Sequence, residues 1–238
     1  MLTLALESSA GPASAAVLED GRLLGESFIN TKQTHSQTLM PMVDSLLKSL
    51  DRTPKDFDLF AVSSGPGSFT GIRIGVSCLK GLAMANETPC YGVSTLETIA
   101  YGGSSLEGRL ICAVMDARCG QVYQALFRIE QGIPVRVCED RALSIAELSG
   151  EYSSYGDSLV LFGDGAELCY RSFREWGAVL APETIRYQRA SSVGLAAEKQ
   201  AGPGTGGLLT PGELMPTYLR LPQAERELKK RTAKEGER

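Results

Sequence analysis

The sequence predicts an α/β protein made of two similar β-β-β-α-β-α units that face each other across a cleft. Three observations carry that prediction. Strand and helix patterns alternate through the first hundred residues, the same order restarts at residue 110, and 238 residues suffice for two cores of about 100 to 120 residues each.

Residues 2–7 (LTLALE), 14–19 (SAAVLE) and 22–29 (RLLGESFI) read as strands. The last two are joined by Asp20-Gly21, a two-residue hairpin turn, because both residues tolerate positive φ. A helix is expected over 36–50, with Leu39, Met40, Val43, Leu46, Leu47 and Leu50 on one stripe and Pro41 near the first turn, where proline is tolerated. A strand over 59–63 then runs into the glycine-rich stretch SGPGSFTG and a helix over 70–86. Thr88-Pro89 ends that helix, and CYGVST offers another short strand.

The second copy begins with strands over 110–116, 121–129 and 133–138, turned at Gln131-Gly132. Asp116 takes the place that Glu7 holds in the first. A short helix near 144–148, a strand over 159–162 before GDGAE and a helix over 191–199 complete it. The expected division is a first domain over 1–105 and a degenerate second over 106–222, whose end is a candidate for packing back on the first. AGPGTGG (201–207) reads as a flexible loop. The 223–238 tail, highly charged and almost without apolar residues, reads as disordered.

Composition removes several function classes. A net charge of −4 gives no general attraction for nucleic acid, and the one local basic run, Lys229-Lys230-Arg231, reads as a solvated end. The N-terminus lacks the pattern of a signal peptide and no segment approaches a membrane span, so a cytoplasmic protein without membrane contact is expected. Six cysteines are scattered without a C-x-x-C pair. The single histidine, His35, excludes sites built on two histidines and reads as a capping or surface residue where a helix begins, with Thr34 and Ser36 as candidate caps.

The turn GPGSFTGIRIG departs from the known phosphate loops. Gly71 is followed by Ile72-Arg73 with no lysine until Lys80, and Gly65, Gly67 and Gly71 are spaced one residue too far for a dinucleotide fingerprint. Two readings stay open. Backbone N–H groups of 67–71 and the helix end face an anion with Arg73 nearby, or Gly71 and Gly75, with the second stripe Ser77, Gly81 and Ala85, let another helix approach closely. Packing is the preferred role.

LALESSAGPASAAVLEDG, HSQTLMPMVDSLL, GPGSFTGIRIG with YGVSTLETIA, MDARCGQVY and MPTYLR, spread in order over residues 2 to 220, closely resemble the TsaB (YeaZ) family. That resemblance implies a duplicated actin-like (ASKHA, ribonuclease-H-like) fold and a non-catalytic scaffold in synthesis of N6-threonylcarbamoyladenosine on tRNA. The implied partners are TsaD, the ATPase TsaE, and, through the complex, tRNA and the threonylcarbamoyl-adenylate made by TsaC. A homodimer is expected when the chain is isolated. The relative TsaD holds its metal with two histidines where this chain has Thr95 and Ile99, so no metal site and no catalytic residue are expected.

The expected partner interface comprises Leu39, Met40, Val43, Leu46, Leu47, Phe69, Gly71, Arg73, Gly75, Cys78, Leu79 and Leu82. A bulky charge at Gly75 is the natural probe of it. No cofactor is assigned to the chain alone, ATP or ADP being placed at the complex interface. Residues left for nucleotide or phosphate are Glu7, Ser8, Ser9, Gly67, Ser68 and Asp116, although Glu7 replaces the aspartate of the wider superfamily. The rival readings are an active ATP-dependent transferase or kinase, a metalloprotease-like (glycoprotease) enzyme and a stand-alone tRNA-binding module.

Overall fold

The structure, a computed structural model, describes residues 1–31, 33–201 and 207–220. The 223–238 tail and most of the 201–207 loop lie outside the described residues. The chain begins with β1 (Leu2–Glu7), β2 (Ala13–Glu19), β3 (Arg22–Ile29), α1 (His35–Ser49), β4 (Leu59–Gly65), α2 (Phe69–Met84), β5 (Cys90–Ser94) and α3 (Thr95–Tyr101). It continues with β6 (Leu110–Asp116), β7 (Gln121–Glu130), β8 (Ile133–Arg136), β9 (Arg141–Ser144), α4 (Ile145–Tyr152), β10 (Leu159–Phe162), α5 (Ala166–Phe173), β11 (Val179–Leu180), α6 (Glu183–Arg186) and α7 (Ala190–Gln200).

The sheets repeat one topology. The first has the order β3-β2-β1-β4-β5 and the second β8-β7-β6-β10-β11, with β9 also paired to β7. In each, the central strand is antiparallel to the following hairpin strand and parallel to the strand after the helix. Both hairpin turns use positive φ at two successive residues, Asp20 (49°) with Gly21 (78°) and Gln131 (54°) with Gly132 (73°). This is the duplicated α/β architecture expected from the repeated element order.

Each sheet is buried on both faces. Helices α1 and α2 cover one face of the first sheet, burying Leu39, Val43, Leu46, Leu47, Ile72 and Leu79 against Leu4, Leu6, Phe60 and Val62. Helices α4 and α5 cover the matching face of the second. The inner faces exchange helices. Leu96, Ile99 and Ala100 of α3 pack on Ile111, Ala113 and Phe127 of the second sheet, while Ala190, Val193, Ala196 and Ala197 of α7 pack on Ala5, Ala16, Leu18 and Ala61 of the first.

The helix expected over 191–199 as the close of the second copy therefore stands on the first sheet. Its alanines match the alanines of β1 and β2, and two small-residue surfaces bring helix and sheet close. The sequence reading also passed over α3, α5, α6, β9 and β11. Most of these are too short for periodicity to mark.

Burial separates neighbouring positions on α1, where Leu39 is 0% exposed and Met40 37%. Leu39→Ala should cost about 2–5 kcal/mol in urea denaturation, through lost contacts and a residual cavity. Met40→Ala should cost about 0.5 kcal/mol or less. Equal effects would contradict this placement.

Candidate functional site

The ends of β1 and β4 carry the polar residues that sequence singled out. Glu7 is fully buried. One carboxylate oxygen accepts from the Ser9 N–H (2.6 Å) and the Ser9 hydroxyl (2.5 Å), and the other accepts from the Ser63 hydroxyl. Burial pushes its pKa up, against the opposing pull of the hydrogen bonds from Ser63 and Ser9.

The next residues close the space beside it. The Ser8 hydroxyl donates to Gly71 O (2.9 Å), the Ser68 N–H donates to Ser9 O (2.6 Å), and the Ser68 hydroxyl accepts from the Gly71 N–H (3.3 Å) as the N-cap of α2. A Cβ at Gly71 would strike Ser8 O, one at Gly67 would strike Ser9 O, and one at Gly75 would lie 2.5 Å from the Ser8 hydroxyl oxygen. Thus Glu7, Ser8, Ser9, Gly67 and Ser68 are turned on one another and on α2. Their side-chain oxygens are engaged within the chain, while Ser9, Gly67 and Ser68 also border the cleft between the two sheets.

Asp116 faces the same cleft from the second unit. It is exposed at the end of β6 and accepts from the Arg118 N–H at 2.7 Å, the local turn role considered for it. It lines a cleft of about 530 Å3 between the two sheets, together with Ser9, Gly67 and Thr70 on one side and Arg118 and Asp164 on the other. Sequence reasoning did not single out Asp164. One of its carboxylate oxygens is buried without a partner among the described residues. Burial, reinforced by the charges of Asp116 and Glu7, pushes its pKa up to about 7. The available signal was an acid between two glycines directly after an apolar strand.

A C-terminal strap forms the remaining wall. Leu209 pairs with Cys90 through two backbone hydrogen bonds, Leu214 is buried in the first core, and Lys80 donates to the carbonyls of Gly212 and Leu214. Further on, the Thr217 N–H donates to Ser64 O at 2.7 Å, and residues 217–220 border the cleft. The apolar spacing of Leu209, Leu214 and Tyr218 is too irregular for a helix or strand pattern to reveal this.

The predicted interface positions divide sharply. Leu39, Val43, Leu46, Leu47, Gly71, Gly75 and Leu79 are buried inside the chain and do not present themselves to a partner. Periodicity marks a buried stripe but not the body that covers it, and here the first sheet does. Met40 and Arg73 are exposed, and Phe69, Cys78 and Leu82 are half-buried. Along α2 and its C-cap, Ser77, Gly81 and Ala85 face outward, and a Cβ at Gly81 would have nothing within 4 Å. A charge at Gly75 would perturb the packing on Ser8, so Gly81 is the sound probe. His35 is the first residue of α1 rather than its cap, and its Nε2 lies 2.6 Å from Ala10 O, tying the helix to the loop after β1.

The chain is 32% identical over 229 residues to the Bacillus subtilis tRNA threonylcarbamoyladenosine biosynthesis protein TsaB, covering 94% of this chain and 96% of that one. The chain belongs to the TsaB (YeaZ) family. The Escherichia coli protein TsaB is 38% identical over 135 residues, 56% of this chain and 58% of the other. YeaZ from Pseudomonas aeruginosa superposes with a TM-score of 0.76 at 26% identity, covering 92% of this chain and 99% of that structure. The family model described as TsaD: tRNA N6-adenosine threonylcarbamoyltransferase also matches residues 22–196.

In this TsaB-family chain the positions compared with the metal-binding histidines of TsaD point inward. Thr95 is fully buried with its hydroxyl unpartnered, and Ile99 belongs to the core between α3 and the second sheet. Among the described residues no group of three His, Cys, Asp or Glu side chains is placed to hold a metal ion. No described helix is long and apolar enough to cross a membrane.

Asp164 gives the site a pH signature. Its carboxyl titrates near 3.8 when unfolded and near 7 when folded, so its contribution is complete below about pH 4 and lost as pH rises through 7. Between pH 5 and 8 the protein should lose on the order of 2 kcal/mol relative to Asp164→Asn, measured from urea midpoints. Parallel pH profiles would contradict this.

Proposed function

We propose that the chain is a non-catalytic scaffold subunit of the assembly that makes N6-threonylcarbamoyladenosine in tRNA, and that it supports a TsaD-type subunit by pairing with it. One observation carries the reading. A chain similar to TsaB over nearly its full length buries Thr95 and Ile99 in its own core where the catalytic relative would present metal ligands. Threonine is a poor ligand and isoleucine none, which favours a structural contribution over catalysis.

The dock we assign is the outward side of α2 with the exposed edge of α1. Ser77, Gly81 and Ala85 allow a second helix to approach closely, while Met40, Cys78 and Leu82 border the contact with apolar surface. The same face serves a second copy when the partner is missing, giving a homodimer. TsaE joins at the subunit junction in this reading, and tRNA and threonylcarbamoyl-adenylate are handled by the assembly in the cytoplasm. The net charge of −4 favours tRNA contact through partners. ATP or ADP is placed at the junction too, the Glu7 and Ser8 side chains being engaged within the chain.

Gly81→Arg tests the dock without touching the core. Its expected outcome is a loss of affinity for the TsaD-type subunit of about 100-fold or more in a titration, with the melting temperature unchanged. Unaltered binding would overturn the assignment of this face.

A further inference from the structure

The face of α2 assigned to the partner is physically joined to the cleft. Arg73 stands exposed on α2 with its guanidinium carbon 3.7 Å from the centre of the Phe69 ring, and its Nε–H donates to the Tyr218 hydroxyl at 2.9 Å. The Tyr218 ring stacks on Phe69 with centroids 4.9 Å apart and planes at 28°. Two residues on, Arg220 donates to Ala117 O at 3.4 Å, in the loop between β6 and β7 on the far side of the cleft. A continuous set of contacts therefore runs from the surface of α2, through the strap, to the second sheet.

We propose that this strap is a relay: a protein seated on α2 that presents a carboxylate to Arg73 withdraws the guanidinium from Tyr218 and loosens the 117–121 turn across the cleft. The direction follows from chemistry. A guanidinium–carboxylate pair is charged on both sides and can form two parallel bonds, so an acidic side chain on the partner outcompetes the neutral phenol. Tyr218 then keeps only its ring contact with Phe69. The 3.4 Å bond from Arg220 is the weakest hydrogen bond in the set and the first to open. The partner this surface fits is a helix with small residues against Gly81 and an acidic residue opposite Arg73. The relay rests on the reading of α2 as the dock.

Hydrogen exchange on the full chain tests it by mass spectrometry. Arg73→Gln and Tyr218→Ala alter surface-accessible side chains and should leave the fold intact. The 117–121 amides, which include Ala117 bonded to Gln121 O and Gln121 bonded to Arg118 O, should exchange about threefold faster or more in both variants, with β6 unchanged. An unchanged turn, or a uniform rise through both sheets, would overturn the relay. Saturating wild-type protein with the purified TsaD-type subunit should speed the same amides. Binding without that change overturns the relay and leaves the dock standing, whereas failure to bind overturns the dock while the two variants still decide the intramolecular coupling.

Discussion

Helix α2 crosses the end of β1 at a distance that any side chain at Gly71 or Gly75 would forbid, because the space a Cβ needs is held by the backbone and hydroxyl of Ser8. Much of the rest follows from that approach. It directs the Ser8 and Ser68 hydroxyls to Gly71 and the Ser68 N–H to Ser9, while Ser9 and Ser63 surround the buried Glu7 carboxylate. The Ser8 hydroxyl, the Ser68 hydroxyl and the Ser68 N–H here help to seat a helix. Pinning one side of α2 inward also fixes which side faces out, so Ser77, Gly81 and Ala85 form the accessible stripe.

The exchange of α3 and α7 gives this arrangement its rigidity. Each helix packs on the sheet of the opposite unit, so separating the units would expose Leu96 and Ile99 on one side and Val193 with its alanines on the other. A cleft held between such walls keeps Asp164 poorly solvated and close to two other carboxyl groups, which raises its pKa. Beyond Leu214, which is buried in the first core, the end of the strap adds a thinner connection at the cleft, held by single hydrogen bonds and one aromatic stack.

Much of the fold was legible because duplication writes the same strand order twice and the hairpins at Asp20-Gly21 and Gln131-Gly132 carry a known turn chemistry. Helix α7 was legible as a helix and the end of the second unit was a candidate for packing back on the first, but alanines at helical spacing do not themselves say which sheet they meet. The same ambiguity affected α1. The stripe of Leu39, Val43, Leu46 and Leu47 is real, yet it is the chain's own sheet that covers it. Asp164 escaped notice, and the strap was foreseen only as the end of the second unit packing back on the first, because their neighbours lie far along the sequence: the charges of Asp116 and Glu7 act on Asp164, and Tyr218 meets Phe69 and Arg73. The absence of histidines at 95 and 99 was readable directly, and the structure adds that both side chains are buried.

The account as a whole holds that this chain supplies shape to a reaction performed elsewhere in its assembly. Reconstitution with purified components tests that most directly, by measuring threonylcarbamoyladenosine formed on unmodified tRNA with and without this chain. The account predicts modification only when this chain and the TsaD-type subunit are both present with the remaining components and substrates, and none from this chain as the sole protein. Product formed by this chain acting alone, or full activity in its absence, would contradict it.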